Sequence, residues 1–209
     1  MDKWNYGDAY KEYPLSNEPH IFPDGSCVQV HDIFEILPEF MLGADLIFTD
    51  PPWNQGNMSS FYSKAGIPPS KDYDDLYVRL FDCIREIRPK ICYVEVGKQY
   101  LARFINEMEK IYRYVTFYNS SYYHKLKNIC YVIRGADKAK KPVLDYIDEE
   151  DIIEWICANE SYNCIGDLCM GRGLVGFNAY KNGKRFVGTE LNHKRLSVLL
   201  KRIYTNHIS

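Results

Sequence analysis

The chain has 209 residues, 46% of them hydrophobic and 26% charged, with a formal net charge of −2. That composition gives one ordinary globular domain with an ample core and excludes a disordered or fibrous chain. The near-neutral balance also excludes a uniformly basic nucleic-acid-binding surface. Acid collects in residues 145–154 and base in residues 125–141 and 181–202, so a local basic face and plain solvated helix faces both remain open.

No apolar run reaches the length of a membrane span, and residues 1–13 are too polar for a signal peptide. The seven cysteines are scattered without a Cys-x-x-Cys pair. Reduced core thiols, no metal and a cytoplasmic location are therefore expected.

Residues 1–23 are aromatic and polar without a period and read as an irregular arm (residues 1–25 once the approach to the first strand is included). Residues 26–31 alternate like a strand, and residues 33–40 have short-helix character limited by Pro38. Residues 44–49 form an apolar run that reads as a buried strand. Pro51 and Pro52 forbid helix and ladder alike, so that strand stops at Asp50. The carboxyl end of a strand in an open α/β sheet is where ligands bind. The corner Asp50-Pro51-Pro52-Trp53 suits a planar ring with an exocyclic amine. Asp50 and the Pro51 carbonyl can each accept one N–H, and Trp53 can stack on the ring. A proline turn followed by a core tryptophan is the other reading.

Residues 54–75 carry no regular pattern and are expected as a long loop, either a substrate lid or a disordered connector. Helical spacing follows over 76–87, a strand over 90–96, an amphipathic helix over 100–111, and strands over 112–118 and 129–133. The 120–128 segment is too short for a crossover, so those two strands are expected to pair antiparallel. A basic turn at 135–140 precedes a helix over 149–158.

Residues 165–173, Ile-Gly-Asp-Leu-Cys-Met-Gly-Arg-Gly, read as a strand entering a Gly-rich turn. A helix over 174–182 and a strand over 185–189 follow, closed by Glu190. Glycine stands where the backbone must bend sharply near a ligand, and an acid ending the second strand can take both hydroxyls of a ribose. A plain α/β crossover is the alternative. No Gly-Lys-Ser/Thr follows, which speaks against a phosphate-binding loop.

Asp50-Pro51-Pro52-Trp53 after an apolar strand resembles the catalytic motif of the amino-group DNA and RNA methyltransferases, which methylate adenine N6 or cytosine N4. The stretch 167–173 resembles the S-adenosylmethionine-binding motif of the same enzymes, whose common form is Asp-Pro-Phe-x-Gly-Ser-Gly. Asp167, Gly171 and Gly173 match it, while Leu168, Cys169 and Arg172 replace Pro, Phe and Ser. Glu190-Leu191-Asn192, followed by Arg195, looks like the family's next segment. The catalytic motif precedes the cofactor motif, as in the permuted group that includes many phage and restriction adenine methyltransferases. The messenger-RNA adenosine methyltransferases share that order and the Asp-Pro-Pro-Trp spelling. Lys141-Pro142 resembles a Lys-Pro pair of the permuted group, or is a surface turn. Asp32 resembles the acid that touches the cofactor's adenine amine, or is a helix N-cap.

The resemblance covers most of residues 26–203. It implies an α/β Rossmann-like methyltransferase fold, with a seven-stranded, mostly parallel sheet, one antiparallel strand and helices on both faces. A single domain over 26–209 is expected, its catalytic half at 26–135 and its cofactor half at 141–203, without a separate target-recognition domain. Asp50, Pro51, Pro52 and Trp53 would be catalytic. S-adenosylmethionine would be held by Asp32, Asp50, Lys141, Asp167, Leu168, Cys169, Gly171, Gly173, Glu190 and Asn192. Asn54, Tyr62, Lys64, Lys125 and Lys127 would meet the nucleic acid, with DNA favoured over RNA and adenine N6 as the target. A homodimer or partner subunit could supply target recognition. Cytosine N4, RNA adenosine or a protein amide as target remain open, as does a non-catalytic nucleic-acid-binding subunit.

Overall fold

A computed structural model of the chain describes residues 6–69 and 71–206. Its strands are β1 (His20–Ile21), β2 (Cys27–Val30), β3 (Leu46–Thr49), β4 (Ile91–Val96), β5 (Tyr114–Tyr122), β6 (Lys125–Ala136), β7 (Ile147–Asp148), β8 (Cys164–Asp167) and β9 (Arg185–Glu190). The helices are α1 (Ala9–Glu12), α2 (Gln55–Ala65), α3 (Tyr73–Ile87), α4 (Leu101–Glu109), α5 (Glu149–Asn159), α6 (Leu174–Lys181) and α7 (His193–Asn206).

All nine strands join one sheet in the order β1-β2-β9-β8-β3-β4-β6-β5-β7. This corrects the expected seven strands with one antiparallel. Three pairings are antiparallel, β1 with β2, β4 with β6, and β5 with β6. The two-residue strands β1 and β7 add to the edges, and strands so short carry too little period to be read from sequence. The central run β2-β9-β8-β3-β4 is parallel throughout.

Alternation along the buried strands feeds two cores. Leu46 and Phe48 of β3 face one side with residues of α5, α6 and α7, including Ile156, Val175 and Leu199. Ile47 faces the other with residues of α3 and α4, including Phe81 and Phe104. Helices therefore cover both faces, as a sheet buried on both sides requires. At the C-cap of α5, Glu160 is buried. It accepts hydrogen bonds from Tyr93 Oη (2.8 Å) and Lys140 Nζ (2.8 Å). Burial pushes its carboxyl up, but Lys140, Tyr93 and Arg134 together hold it below its ordinary value.

Four local expectations change. Residues 54–75 are not a long loop, since they hold α2 and the start of α3. Asn54 caps α2 by accepting from Asn57 N (2.9 Å), and Asp72 with Asp75 forms a capping box on α3. Met58 and Tyr62 of α2 bury against Tyr73 and Leu76 of α3, a tertiary gain that overrides Gly56, Ser59 and Ser60. Within 33–40 the only helical turn is 3-10, beginning at Glu39 and running to Gly43; Pro38 precedes it in extended backbone. The N-terminal arm is not wholly irregular, because it contains α1 and β1, while residues 1–5 lie outside the described residues. The expected 120–128 turn shrinks to Tyr123 and His124, both at positive φ, as a tight two-residue hairpin demands.

Candidate functional site

Each of the five parallel strands delivers an acid to the same carboxyl-terminal edge. Across the sheet from β2 to β4 the row is Asp32, Glu190, Asp167, Asp50 and Glu95. All five line one cavity, which also reaches Tyr123, Glu149, Arg172 and Arg195. Register explains the last two members of the row. Thr49 pairs with Val94, so Asp50 and Glu95 occupy the next positions on neighbouring strands.

Strand β8 and helix α6 are joined by a turn in which Gly171 (φ 56°) and Gly173 (φ 71°) are left-handed. A Cβ on Gly173 would stand 2.5 Å from Leu199 Cβ, so glycine is required there on two counts. Gly171 N donates to Glu190 Oε2 (2.7 Å) and Asn192 N to Glu190 Oε1 (3.0 Å). A carboxylate offers about four acceptor sites, so each Glu190 oxygen keeps one for a ligand. Asp167 Oδ1 accepts from Cys169 N (2.9 Å). Burial pushes the Asp167 carboxyl up to about 8, and the charges of Asp50 and Glu190 add to the rise.

Asp50 Oδ1 accepts from Trp53 Nε1 (2.8 Å). The residue is open at the cavity's mouth, yet the protein mass around its carboxyl pushes the pKa up to about 6 against the lowering pull of Trp53 and Arg195. Trp53 itself packs on the backbone of Gly97, where a Cβ would come within 3.0 Å of the indole, and meets Tyr122 edge to face at 5.3 Å.

No protein-family model matches the chain, and no curated protein matches it in sequence. Solved structures do. M1.HpyAVI, in its complex with SAM, superposes with a TM-score of 0.61 at 14% identity, over 84% of this chain and 98% of that one. TTHA0409 of Thermus thermophilus, complexed with S-adenosyl-L-methionine, gives 0.56 at 13% identity over 78% and 86%. The PvuII DNA methyltransferase (cytosine-N4-specific) gives 0.62 at 12% identity over 93% and 89%. The chain has the Rossmann-like methyltransferase fold.

Within that methyltransferase fold, the cavity gathers Asp32, Asp50, Pro52, Tyr62, Asp167, Leu168, Cys169, Gly171 and Glu190 from the residues expected by sequence. Asp32 Oδ1 accepts from Tyr62 Oη (2.6 Å) and Phe34 N (3.1 Å), so Tyr62 stands in the cavity wall against Asp32. Pro51 is buried under the corner, while Trp53 and Asn54 flank it. Asn192 sits behind Glu190, its side chain donating to the Lys64 carbonyl (3.2 Å). Gly173 backs onto α7, outside the lining. Lys125 and Lys127 are exposed on β6 near the hairpin tip. Lys141 is not brought to the cavity; it lines a separate recess with Tyr114 and Arg134.

Sequence reasoning missed Glu95 and Glu149. Glu95 is 1% exposed, and its Oε1 has no hydrogen-bond partner. Donor atoms of Glu95, Glu149 and Cys130 lie within 4.8 Å of one another. Burial pushes Glu149 up to about 7, with Asp50 adding to the rise, and burial with the charges of Asp50 and Glu149 pushes Glu95 well up. The available signal was a lone acid inside the apolar strand Ile91–Val96.

Among the described residues, no helix is long and apolar enough to cross a membrane.

Proposed function

We propose that the protein is an S-adenosylmethionine-dependent methyltransferase acting on the exocyclic amine of a nucleobase, with adenine N6 in DNA as the target. The observation that carries this reading is that Asp50 opens into the same cavity as Asp167, Glu190 and Asp32. The donor set fits the cofactor. Buried acids with raised carboxyls suit a ligand bearing two positive charges, and Glu190 retains acceptor sites for two ribose hydroxyls. Neighbours of the same fold were solved with that molecule bound.

Asp32 would take the adenine amine of the cofactor, Glu190 the ribose, and Asp167 the methionine ammonium. Bound S-adenosylmethionine supplies an electrophilic methyl on a sulfonium. Asp50 and the Pro51 carbonyl accept the two N–H groups of the target amine, which turns its lone pair toward that methyl. Trp53 covers the ring face. As the methyl is transferred from sulfur to nitrogen, Asp50 would take the proton that the amine sheds and pass it to solvent. Positioning and fixed charge supply most of the acceleration.

An amine held at Asp50 is out of reach inside a duplex, so the base is unpaired or flipped. Lys125 and Lys127 on the hairpin, with Lys64, Arg172 and Arg195 near the mouth, hold phosphates, which gives position without sequence. The isolated protein therefore reads a very short target, and a homodimer or second subunit supplies any longer specificity.

The test is to incubate purified protein with methyl-labelled S-adenosylmethionine and random-sequence DNA or RNA, digest, and separate the nucleosides. Label in N6-methyldeoxyadenosine is expected. Label in N4-methyldeoxycytidine moves the target to cytosine, and label only in protein, or none, overturns the reading.

A further inference from the structure

The row of acids has one more member than the chemistry above uses. Read from β2 to β4, Asp32, Glu190 and Asp167 serve the cofactor from its adenine to its methionine, and Asp50 meets the amine. The next position, Glu95, lies where the rest of the target ring must be. Glu95 is buried, lines the cavity, and its Oε1 lacks a hydrogen-bond partner. A buried polar atom without a partner is costly, and such groups are kept where a ligand satisfies them.

We propose that Glu95, carrying the single proton of the Glu95–Glu149 pair on its unpartnered oxygen, is the residue that reads the target base, donating that O–H to the ring nitrogen beside the amine that Asp50 accepts. This rests on the nucleobase-amine reading and deepens it.

Two carboxyls with oxygens within 4.8 Å of each other, one of them fully buried, cannot both ionise. Glu95 faces Asp50 from the end of β3, Cys130 from β6 and Glu149 from α5. Glu149 in turn stands beside Asp148 and Glu150, which His124 of the hairpin approaches. The acids around the pair outnumber the cations, so the proton stays. A neutral carboxyl then presents what adenine N1 and cytosine N3 need. Both bases place an acceptor nitrogen next to a donor amine, matching an acceptor at Asp50 and a donor at Glu95. Guanine and thymine present the reverse pattern along that edge, and the same two groups reject them.

The experiment compares methyl transfer to random-sequence single-stranded DNA pools made with adenine or with 1-deazaadenine, which has C–H in place of N1. Matching pools carry cytosine or 3-deazacytosine. Wild-type protein is expected to lose about 10- to 100-fold in kcat/KM on the deaza form of its target base. Glu95→Ala should lose the discrimination while its calorimetric affinity for S-adenosylmethionine stays within about twofold of wild type. Glu95→Gln, whose amide donates at any pH, should keep the discrimination and lose the fall in rate at alkaline pH.

Equal wild-type rates on both forms, or undiminished discrimination in Glu95→Ala, would overturn the proposal. So would a loss of cofactor affinity in Glu95→Ala, or activity that requires an added divalent cation. Absence of transfer to unmodified DNA and RNA would remove the functional reading itself, and the proposal with it. Transfer without discrimination removes the proposal alone.

Discussion

Trp53 and Asp50, three residues apart on either side of two prolines, are joined by a 2.8 Å hydrogen bond from the indole N–H to Oδ1. The bond fixes the carboxylate's direction, leaves its second oxygen for a substrate amine, and draws down a pKa that the surrounding protein raises to about 6. Trp53 is thus a positioning residue for Asp50 as well as an aromatic face.

Replacing Trp53 by Phe keeps the ring and removes the donor. A hydrogen bond to the ionised form lowers a carboxyl's pKa, so its loss raises that of Asp50. The acid limb of the pH–rate profile is expected to move upward from about 6, with affinity for S-adenosylmethionine little changed. A limb that stays in place would separate Trp53 from the ionisation of Asp50.

Glu190 is held by the amides of Gly171 and Asn192, each on a different oxygen. Glu190→Ala should weaken S-adenosylmethionine binding by about 1.5–3 kcal/mol, the worth of hydrogen bonds to a charged acceptor. Glu190→Gln, which keeps the shape, should lose less. Unchanged calorimetric affinity in the alanine variant would move the ribose elsewhere.

The unliganded protein should lose thermal stability as pH rises from 5 to 8. Burial raises the carboxyls of Asp50, Glu149 and Asp167 to about 6, 7 and 8. Glu95 is raised with them, and these four large shifts outweigh the smaller opposite ones of His20, His31 and His193, whose imidazoles burial lowers. The folded state therefore binds more protons than the unfolded chain in this window, and stability falls with pH. Glu107 and Glu160, held below their ordinary values, are ionised in both states there and add no slope. Asp167→Asn should flatten the fall, and saturating S-adenosylmethionine should offset it by supplying positive charge. A melting temperature that rises from pH 5 to 8 would contradict the burial argument.

What the sequence disclosed follows what backbone chemistry dictates. Two prolines after an apolar strand place Asp50, and glycines around a turn followed by an acid after the next strand place Asp167 and Glu190. Those signals are local, so they survive without the fold. Glu95 and Glu149 are far apart in the chain and meet only because β6 runs antiparallel beside β4 and α5 starts at the hairpin tip. The helix α2 was hidden for a related reason. Gly56, Ser59 and Ser60 read as loop, and only the burial of Met58 and Tyr62 against α3 makes the segment helical. Lys141 shows the converse, a motif-like pair that can equally be a surface turn and that lines a recess separate from the cavity.

The most direct test of the account is single-turnover methyl transfer by wild type and Asp50→Ala, with S-adenosylmethionine affinity measured by calorimetry on the same preparations. Asp50 is assigned to the amine and Asp167 and Glu190 to the cofactor, so the two readouts should part. Loss of one positioned acceptor is expected to slow transfer by about 10²–10³-fold while cofactor affinity remains close to wild type. Near-normal transfer by Asp50→Ala, or a collapse of cofactor affinity with it, would contradict the placement of the chemistry at this corner.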